Sequence, residues 1–547
     1  MTTKHTINAA TSAAMRDYTD ILASRIPFFE EYENATLCHH SDYQQKHKER
    51  TVPFSRVPNT AIDGFPICIT RDKKRELQVT FTDNTHALVV GATRSGKTTG
   101  FVLPFLNIMA LKKNKPSIVV SDPKGELYRG TGKRFEENGY RVVKLDFQDY
   151  THSECWNPLT KIYRLYQTYL AVDDEVEAVE IDGGYFHKFR GVVYRNEAEL
   201  QQALNEIKDN LLAEVDNMIV SVAERDCPVL KDNDPYWDDM SAIFEQGFLW
   251  AMLEDSRPDS PNPRITEDTY SYDTLLRVFD SFVNDRESGM RDYGYFSSRD
   301  PATSKAYQLV YTSIINLSAN VTRGCIVSNF MNKMKKFRDT SVRRITCTNT
   351  LDFADLDSDQ PYAIFVSYKD EDSLHYDTIS LFLSDLYTGL IATAREKGGS
   401  LSRPFYFLLD EFGNFPRFAS FENVISACGS RNIWFMLIVQ SYAQLDRVYG
   451  KDTSEIILDN LNMHIFFGSC NHETKQAFSN ECGSHVIFSP LSAINGTTET
   501  IERYEKEIVP LVPVSRLNQL EAGECIVTQM RGDVLWSRLE SSYLCPE

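Results

Sequence analysis

The sequence predicts an α/β fold in which a parallel-type central sheet is interrupted by an inserted all-α domain. Strand-like and helix-like segments alternate between residues 86 and 150 and again after residue 350, as is typical of a parallel sheet covered by helices. The stretch from 161 to 340 lacks this alternation and is compatible with long helices. A glycine-rich loop, 91–98, follows the first strong strand. Because 547 residues are more than one hydrophobic core usually supports, two or more domains are expected.

The predicted elements follow in order along the chain. Residues 1–80 are mixed and polar, and only "GFPICIT" resembles a strand there. The first part of the α/β domain, 81–160, contains the strand-like runs "HALVV", "SIVVSD" and "RVVKLDF", separated by helical stretches. Its second part, 341–547, contains "YAIFVSY", "FYFLL", "IWFMLIVQ" and "MHIFFGS". Such continuous apolar runs suit strands that are buried on both faces of a parallel sheet.

The inserted domain, 161–340, is predicted from two long helical windows. These are "EAELQQALNEIKDNLLAEVDNMIVSVAE" and "PYWDDMSAIFEQGFLWAMLE". The first half of the insertion is acidic, and a basic run, "NKMKKFRDTSVRR" at 332–344, closes it. A solvated helix face with a linker and a DNA-contacting surface are both compatible with this basic run.

Composition excludes some classes of protein. The net charge of −19 argues against a simple non-specific DNA coat, because phosphate binding needs basic surface. A local basic patch could still supply such a surface. The 11 cysteines, without a C-x-x-C pair, favour reduced thiols and no structural zinc. There is no stretch of signal-peptide character and no apolar run near the ~20 residues that span a bilayer. Contact with a membrane is therefore expected through a partner.

The stretch "GATRSGKTTG" matches the phosphate-loop pattern G-x-x-x-x-G-K-[ST] and lies between a strand and a helix. Glycines let the backbone N–H groups face the phosphates, and the start of the helix adds partial positive charge. Lys97 is expected to reach the β- and γ-phosphates and Thr98 to hold Mg²⁺, so ATP and Mg²⁺ are the expected ligands. The predicted nucleotide-binding residues are Gly91, Ala92, Thr93, Arg94, Ser95, Gly96, Lys97, Thr98 and Thr99.

A pair of acids, Asp410 and Glu411, follows the strand-like run "FYFLL". A P-loop ATPase needs one carboxylate at a strand end to hold the metal through its water shell and usually a second to polarise the attacking water. We assign Asp410 to the metal and Glu411 to the general base. Kinases and small GTPases do not normally carry this pair, so it favours a motor-type ATPase.

Three further residues are candidates for the hydrolytic site. Gln440 ends "IWFMLIVQ", where its amide could sense the γ-phosphate. Arg431, just before that strand, is a candidate arginine finger supplied across a subunit boundary, and Arg417 is its rival. The competing interpretations are a satisfied polar strand end for Gln440 and a surface salt bridge for Arg431.

These motifs resemble, in order and spacing, those of the type IV secretion coupling proteins, the ATPases that deliver DNA–relaxase complexes to conjugation machines. The resemblance covers roughly residues 80–540, and its most specific part combines "SDPKGE" at 121–126 with the phosphate loop and "DEFG". The matching stretches are "HALVVGATRSGKTTGFVLPFL", "IVVSDPKGELYRGTGKRFEENGYRVVKLDF", "CWNPL", "DPYWDDMSAIFEQGF", "FLLDEFGNFP" and "GSRNIWFMLIVQSYAQLDRVYG".

The resemblance implies a RecA-like nucleotide-binding domain whose all-α insertion recognises substrates, and hexamers around a central channel. The implied partners are a relaxase or relaxosome, single-stranded DNA and other type IV secretion ATPases. An acidic surface on the insertion would suit basic relaxase or accessory proteins. Members of the family typically begin with transmembrane helices, so this sequence resembles a soluble subtype. That subtype implies a cytoplasmic protein, peripheral at the membrane through a separate membrane protein, with residues 1–80 as the candidate docking segment.

The sequence therefore predicts a mechanoenzyme in which ATP hydrolysis drives transfer of a DNA–protein complex. One alternative is a substrate receptor that uses nucleotide mainly as an assembly switch. Intact Lys97, Asp410 and Glu411 favour the motor over this receptor. Another alternative is a soluble DNA-pumping ATPase, against which "SDPKGELY" and the helical insertion argue.

Overall fold

The computed structural model of the protein describes most of the chain, and the candidate docking segment 1–80 is described only from residue 35 onward. The described residues are 35–72, 74–181, 184–229, 234–260, 262–284, 294–317, 320–369, 375–418, 420–495 and 498–538.

The strands that sequence analysis identified are confirmed as β3, β5, β6, β7, β11, β12, β13 and β14, with ends shifted by at most two residues. In chain order the strands of the described residues are β1 (Leu37–His39), β2 (Thr51–Pro53), β3 (Pro66–Arg71), β4 (Leu77–Phe81), β5 (Ala87–Gly91), β6 (Ser117–Asp122), β7 (Arg141–Asp146), β8 (Glu177–Ile181), β9 (Gly184–Phe189), β10 (Val192–Tyr194), β11 (Tyr362–Ser367), β12 (Phe405–Leu409), β13 (Ile433–Val439), β14 (Met463–Gly468), β15 (Ser484–Asn495), β16 (Thr498–Pro510), β17 (Glu524–Gln529) and β18 (Val534–Arg538).

The two long helical windows of the insertion are confirmed as α5 and α6. In chain order the α-helices of the described residues are α1 (His40–Lys46), α2 (Leu103–Leu111), α3 (Glu126–Glu137), α4 (Thr160–Ala171), α5 (Glu197–Asp226), α6 (Pro235–Glu254), α7 (Tyr272–Asn284), α8 (Gly294–Ser297), α9 (Lys305–Val310), α10 (Asn320–Lys333), α11 (Thr340–Thr346), α12 (Tyr376–Glu396), α13 (Phe421–Ala427), α14 (Tyr442–Tyr449), α15 (Lys451–Asn460), α16 (His472–Glu481) and α17 (Val514–Leu517).

The chain divides into two compact units. The first unit comprises Met1–Asn114 and Met436–Glu547, and the second unit comprises Lys115–Phe435. This division rests on compactness, and the domain boundaries at 80, 160 and 340 stay predictions.

The first unit has the strand order β1-β18-β17-β14-β5-β13. β5 is parallel to both of its neighbours, β14 and β13, and all five of its residues are buried. β17 pairs antiparallel with β14 and with β18, so this sheet is mixed rather than wholly parallel. β17 and β18 are joined by residues 530–533 alone, and so short a connection permits only antiparallel pairing.

The second unit has the strand order β12-β6-β11-β7, and all three pairings are parallel. The carboxyl ends of these strands therefore share one edge, where Ser367 of β11 is in register with both Asp122 of β6 and Asp146 of β7. Helix α3 packs against this sheet through Tyr128 and Phe135, whose rings contact Phe365. The edge carries the polar groups that the candidate site uses.

The described part of the insertion is helical, as predicted, except for a small antiparallel sheet with the order β10-β9-β8. Phe189 of this sheet packs with Leu200 and Leu204 of α5 in one apolar cluster. The sheet thus covers an apolar face of α5 that would otherwise meet water. The β-branched and aromatic residues in "AVEI", "YFHKF" and "VVY" are the signal that sequence analysis did not use.

The helix that follows the phosphate loop is anchored at its far end by Lys112. This lysine is 4% exposed, and its ammonium group donates a hydrogen bond to the carbonyl of Gly64. It also lies 5.4 Å from the centre of the Phe81 ring. Gly64 lies two residues before β3, an edge strand of the small β2-β4-β3 sheet, so Lys112 joins the end of α2 to that sheet.

We expect the free energy of unfolding to rise with pH through the titration of Lys112. Burial lowers the pKa of its ammonium group from 10.5 to about 8, although Asp63 opposes this shift. Between these two pH values the unfolded chain holds a proton that the folded chain has lost, so stability increases with pH. The full increase is about 3 kcal/mol.

Urea unfolding of the wild type and of Lys112→Met across this pH range measures the contribution. Lys112→Met should lack the rise, whereas Lys113→Met, a change at the exposed neighbouring lysine, should keep it. An equal pH dependence in Lys112→Met and the wild type would contradict the expectation.

Candidate functional site

The phosphate loop begins where β5 ends and is held by backbone hydrogen bonds. The Ala92 N–H donates to the carbonyl of Gly468, the last residue of β14, at 2.8 Å. The loop then turns back, because the Ser95 N–H donates to the Ala92 carbonyl at 3.1 Å. Gly96 has a φ of +88°, in the left-handed region that glycine adopts without strain. The Gly100 N–H donates to the Gly96 carbonyl at 2.8 Å, so helical structure starts directly after the loop.

The side chain of Lys97 lies back across the end of β5. It is 8% exposed, and a β-carbon on Gly91 would stand 2.5 Å from both Cγ and Cδ of Lys97. Side chains do not approach so closely, so position 91 has to be glycine for the lysine to take this path. The first glycine and the lysine of the motif thus form one contact.

The other predicted loop residues are open to a ligand to different degrees. Thr98 is partly buried at the start of the helix, whereas Thr93, Arg94 and Thr99 are exposed. Arg94 has a φ of +66°, an uncommon conformation for a residue with a side chain. Exposed residues at the loop's outer face leave its surface accessible.

Gly523 is a site residue that sequence analysis missed. Its N–H points to the carbonyl of Ser95 at 3.4 Å, and a β-carbon on Gly96 would stand 3.0 Å from the Gly523 nitrogen. The turn before β17 therefore packs against the phosphate loop. The dipeptide Gly-Glu just before the apolar run "CIV" is the only local signal for it, and such a turn signal does not name its contact.

Asp410 and Glu411 follow β12 in the second unit, and both are partly buried. The peptide between them is held from two sides. The Ser121 hydroxyl donates to the Asp410 carbonyl at 2.8 Å, and the Glu411 N–H donates to Asp410 Oδ1 at 2.9 Å. Glu411 has a φ of +53°, which is uncommon outside glycine.

The "SDPKGE" motif has a structural basis at the start of α3. Asp122 is fully buried, and its carboxylate accepts the N–H groups of Leu127 at 3.2 Å and Tyr128 at 2.8 Å. Burial raises the pKa of Asp122, while these two hydrogen bonds lower it. Gly125 has a φ of +66° directly before the helix. The aspartate thus caps the helix, and the glycine permits the turn into it.

The structure places the remaining predicted residues in both units. Gln440, in the first unit, directly follows β13, and its carbonyl accepts a hydrogen bond from the Ser469 hydroxyl at 3.0 Å. Arg431, in the second unit, donates from its guanidinium to the carbonyl of Ala427 at 3.1 Å, and Arg417 is exposed. The phosphate loop lies in the first unit and the acid pair in the second. Their joint action on one nucleotide stays a prediction.

Four of the six basic residues at 332–344 are paired with acids of the same helical segment, which favours a structural interpretation over DNA contact for these four. Each of these pairs uses an acid from α5, α6 or α7. The pairs are Lys333 with Asp238 at 3.0 Å, Lys336 with Asp226 at 2.9 Å, Arg338 with Asp280 at 2.5 Å and Arg343 with Asp273 at 3.5 Å.

Two family models match the chain. One, described as "Type IV secretory system Conjugative DNA transfer", matches residues 36–222, and the other, described as "TraM recognition site of TraD and TraG", matches residues 404–522. Together they cover more than half of the chain. Among the described residues, the helices that are long enough to cross a bilayer are not apolar enough to do so.

Named relatives match at low identity. Protein VirD4 of Rhizobium radiobacter is 22% identical over 407 residues, and Protein VirD4 of Agrobacterium fabrum is 21% identical over 407 residues. Each match covers 74% of this chain but only 48% and 50% of the respective relative. The chain thus spans about half the length of the curated relatives it matches.

Solved structures of the plasmid coupling protein TrwB share the fold. The complex with the ATP analogue ADPNP has a TM-score of 0.56 and 13% identity, and the match covers 94% of this chain and 95% of that one. The complex with ADP and Mg²⁺ has a TM-score of 0.53 and 14% identity, with 83% and 84% covered. These matches confirm the RecA-like α/β fold with a helical insertion. By its two family-model matches, the chain belongs to the type IV secretion coupling proteins.

Proposed function

We propose that the chain is an ATPase that recruits relaxase-bound single-stranded DNA, or a protein substrate, and delivers it to a type IV secretion channel during conjugation. The observation that carries the proposal is the phosphate loop, in which Lys97 lies against Gly91. Such a loop between a buried parallel strand and a helix is the binding element of nucleotide phosphates. The TrwB structures in complex with ADPNP and with ADP and Mg²⁺ support ATP and Mg²⁺ as the ligands.

The loop residues fit a phosphate group. Ser95 Oγ is buried without a hydrogen-bond partner among the described residues, and an unpaired buried hydroxyl costs about 1–3 kcal/mol. A phosphate oxygen would accept a hydrogen bond from the Ser95 hydroxyl. Lys97 would neutralise charge on the β- and γ-phosphates, and Thr98 with Asp410 would hold Mg²⁺, which supplies positive charge to the phosphates when bound.

We assign the hydrolytic roles to Glu411, which follows β12, and to Arg431 and Gln440, which lie on either side of β13. Glu411 would orient the attacking water and take its proton, as a general base does. Gln440 would report the presence of the γ-phosphate, and Arg431 would stabilise transition-state charge at a neighbouring subunit. The peptide before Glu411 is held by two hydrogen bonds. This supports hydrolysis by the protein over a receptor that uses nucleotide only as a switch, because such a receptor does not need an oriented base.

The partners follow from family membership and are part of the proposal. A relaxase or relaxosome, single-stranded DNA and other type IV secretion ATPases are the proposed contacts, and the match to a TraM recognition model at 404–522 supports a relaxosome partner. We further propose a homo-hexamer held at the cytoplasmic face of the membrane by a separate membrane protein.

Substitutions at Lys97 and Glu411 should separate binding from hydrolysis. Lys97→Ala should weaken binding of ATP at least about tenfold, because a charge-assisted contact to the phosphates is lost. Glu411→Gln should bind ATP normally but lower kcat at least about 100-fold, because the general base is lost. Calorimetry and phosphate release measure the two effects.

Exposed residues provide matched controls for these substitutions. Lys113→Ala and Glu396→Gln change exposed side chains and should leave binding and kcat as in the wild type. ATP hydrolysis by Glu411→Gln at the wild-type rate would exclude Glu411 as the base. A wild type that binds ATP without hydrolysing it would favour the receptor with an assembly switch.

Mixing variants should identify the arginine finger. If Arg431 acts across a subunit boundary, Arg431→Ala should lower kcat about 1,000-fold. Adding inactive Lys97→Ala protein should then restore part of the activity, because some mixed boundaries contain an intact loop and an intact arginine. Arg417→Ala is the matched variant and should stay near the wild-type rate. The reverse result would assign the finger to Arg417, and full activity of both variants would contradict a finger at either position.

Relaxase binding should depend on the acidic exposed surface of the insertion. Glu199→Lys, on the exposed face of α5, should lower capture of relaxase by the tagged full chain at least about threefold, with a smaller difference at high salt. Glu455→Lys, a charge reversal at an exposed position of α15, is the control. Pull-down from donor cells measures both variants, and equal capture would contradict recognition by this surface.

A further inference from the structure

The peptide that joins Asp410 to Glu411 is fixed by a residue of a different strand. Ser121 lies at the carboxyl end of β6, is fully buried and is in register with Leu409. Because the two strands are parallel, its side chain reaches the next peptide, where its hydroxyl donates to the Asp410 carbonyl at 2.8 Å. The N–H of the same peptide donates to Asp410 Oδ1 at 2.9 Å. Both ends of the peptide dipole are therefore held.

This arrangement matters because Glu411 is in an unfavourable backbone conformation. Its φ is +53°, and a residue with a β-carbon adopts this left-handed region only when its surroundings impose it. The carbonyl of Glu411 accepts the Asn414 N–H at 2.9 Å, which holds the turn on its other side. The direction in which the Glu411 side chain leaves the backbone is therefore set by hydrogen bonds on both sides of it.

Two residues beside this peptide, Ser121 and Tyr368, are fully buried, although Asp410 and Glu411 are themselves partly buried. Burial raises the pKa of Tyr368 well above the ordinary value, the side chain of Ser121 opposes this shift, and the charges of Asp410 and Glu411 add to it. The phenol thus stays neutral close to both acids. Because the Ser121 side chain is buried, water does not readily replace its hydroxyl as the donor to the carbonyl.

We propose that Ser121 is a positioning residue for hydrolysis, which holds the Asp410 carbonyl and so keeps Glu411 in the conformation that directs its carboxylate. This inference rests on the proposed ATPase function. It gives the serine of "SDPKGE" a role separate from that of Asp122, which caps α3. The serine acts through Glu411 and does not itself contact the reacting water.

Steady-state ATP hydrolysis by the full chain tests this role, with Ser117→Ala as the matched control. Ser117 also lies on β6, is equally buried and hydrogen-bonds backbone, since its hydroxyl accepts the Tyr362 N–H at 3.1 Å. It lies at the opposite end of the strand from the acid pair. Ser121→Ala should lower kcat about tenfold, which corresponds to the loss of one hydrogen bond. KM and the Kd for ADP should stay within about twofold.

A double-mutant cycle distinguishes positioning from a general loss of stability. Ser117→Ala should lower the Tm about as much as Ser121→Ala but leave kcat near the wild-type value. In the Glu411→Gln background, Ser121→Ala should cause no further fall in kcat, because the group it positions is already absent. If Ser121→Ala does not fold, Ser121→Cys keeps a group of similar size with a weaker donor and should show the same pattern.

Two results would overturn the inference while leaving the ATPase function in place. The first is a kcat for Ser121→Ala, or for the cysteine variant, within twofold of that of Ser117→Ala. The second is an equal fall in kcat from Ser121→Ala with and without Glu411, which would make the two residues independent. Absence of ATP hydrolysis by the wild type would instead overturn the proposed function and this inference with it.

Discussion

The phosphate loop depends on one close approach, in which the side chain of Lys97 lies against the bare α-carbon of Gly91. With a β-carbon at position 91, the Cγ and Cδ atoms of Lys97 would have to move away from the strand end. The surrounding contacts keep this approach in place. Gly468 holds the beginning of the loop, and Gly523 packs against its end. Three glycines from distant parts of the chain thus let backbone, rather than side chains, form the walls of the loop.

The second unit meets a related constraint at the carboxyl edge of its sheet. Parallel strands that are buried on both faces must end on groups whose polarity is satisfied locally, because water does not reach them. Asp122 meets this requirement by accepting N–H groups at the start of α3, and Ser121 meets it by donating to the Asp410 carbonyl. The Ser121 hydrogen bond also holds the peptide of the acid pair, whereas the Asp122 hydrogen bonds hold the start of α3. At Ser121, one hydrogen bond therefore satisfies a buried polar group and restrains the acid pair.

Sequence reasoning identified the central strands and the two long helices of the insertion because continuous apolar runs and 3.6-residue periods are local signals. It predicted the phosphate loop and the acid pair from signals of the same kind, since each is contiguous. It gave no sign of the contacts that Gly523 and Ser121 make, because those contacts are with residues hundreds of positions away. β17 and β18 were also missed, since they extend a sheet whose other strands come earlier in the chain. The local sequence therefore predicted which segments form helices, strands and loops. The residues that each element contacts are determined by the tertiary fold.

The basic run at 332–344 shows that charge in the sequence does not by itself identify a binding surface. In sequence it is compatible with a solvated helix face as well as with a DNA-contacting surface, but Lys336 reaches the buried carboxylate of Asp226 at 2.9 Å. Burial raises the pKa of Asp226, yet Lys336 and Arg225 lower it more strongly, to about 2. A buried carboxylate that lost its cations would be left charged and unpaired at a cost of about 3–5 kcal/mol. Lys333 and Lys336 of this run, which pair with buried carboxylates, therefore stabilise the packing of the helical segment. A surface that recruits DNA has to be sought among cations without such buried partners.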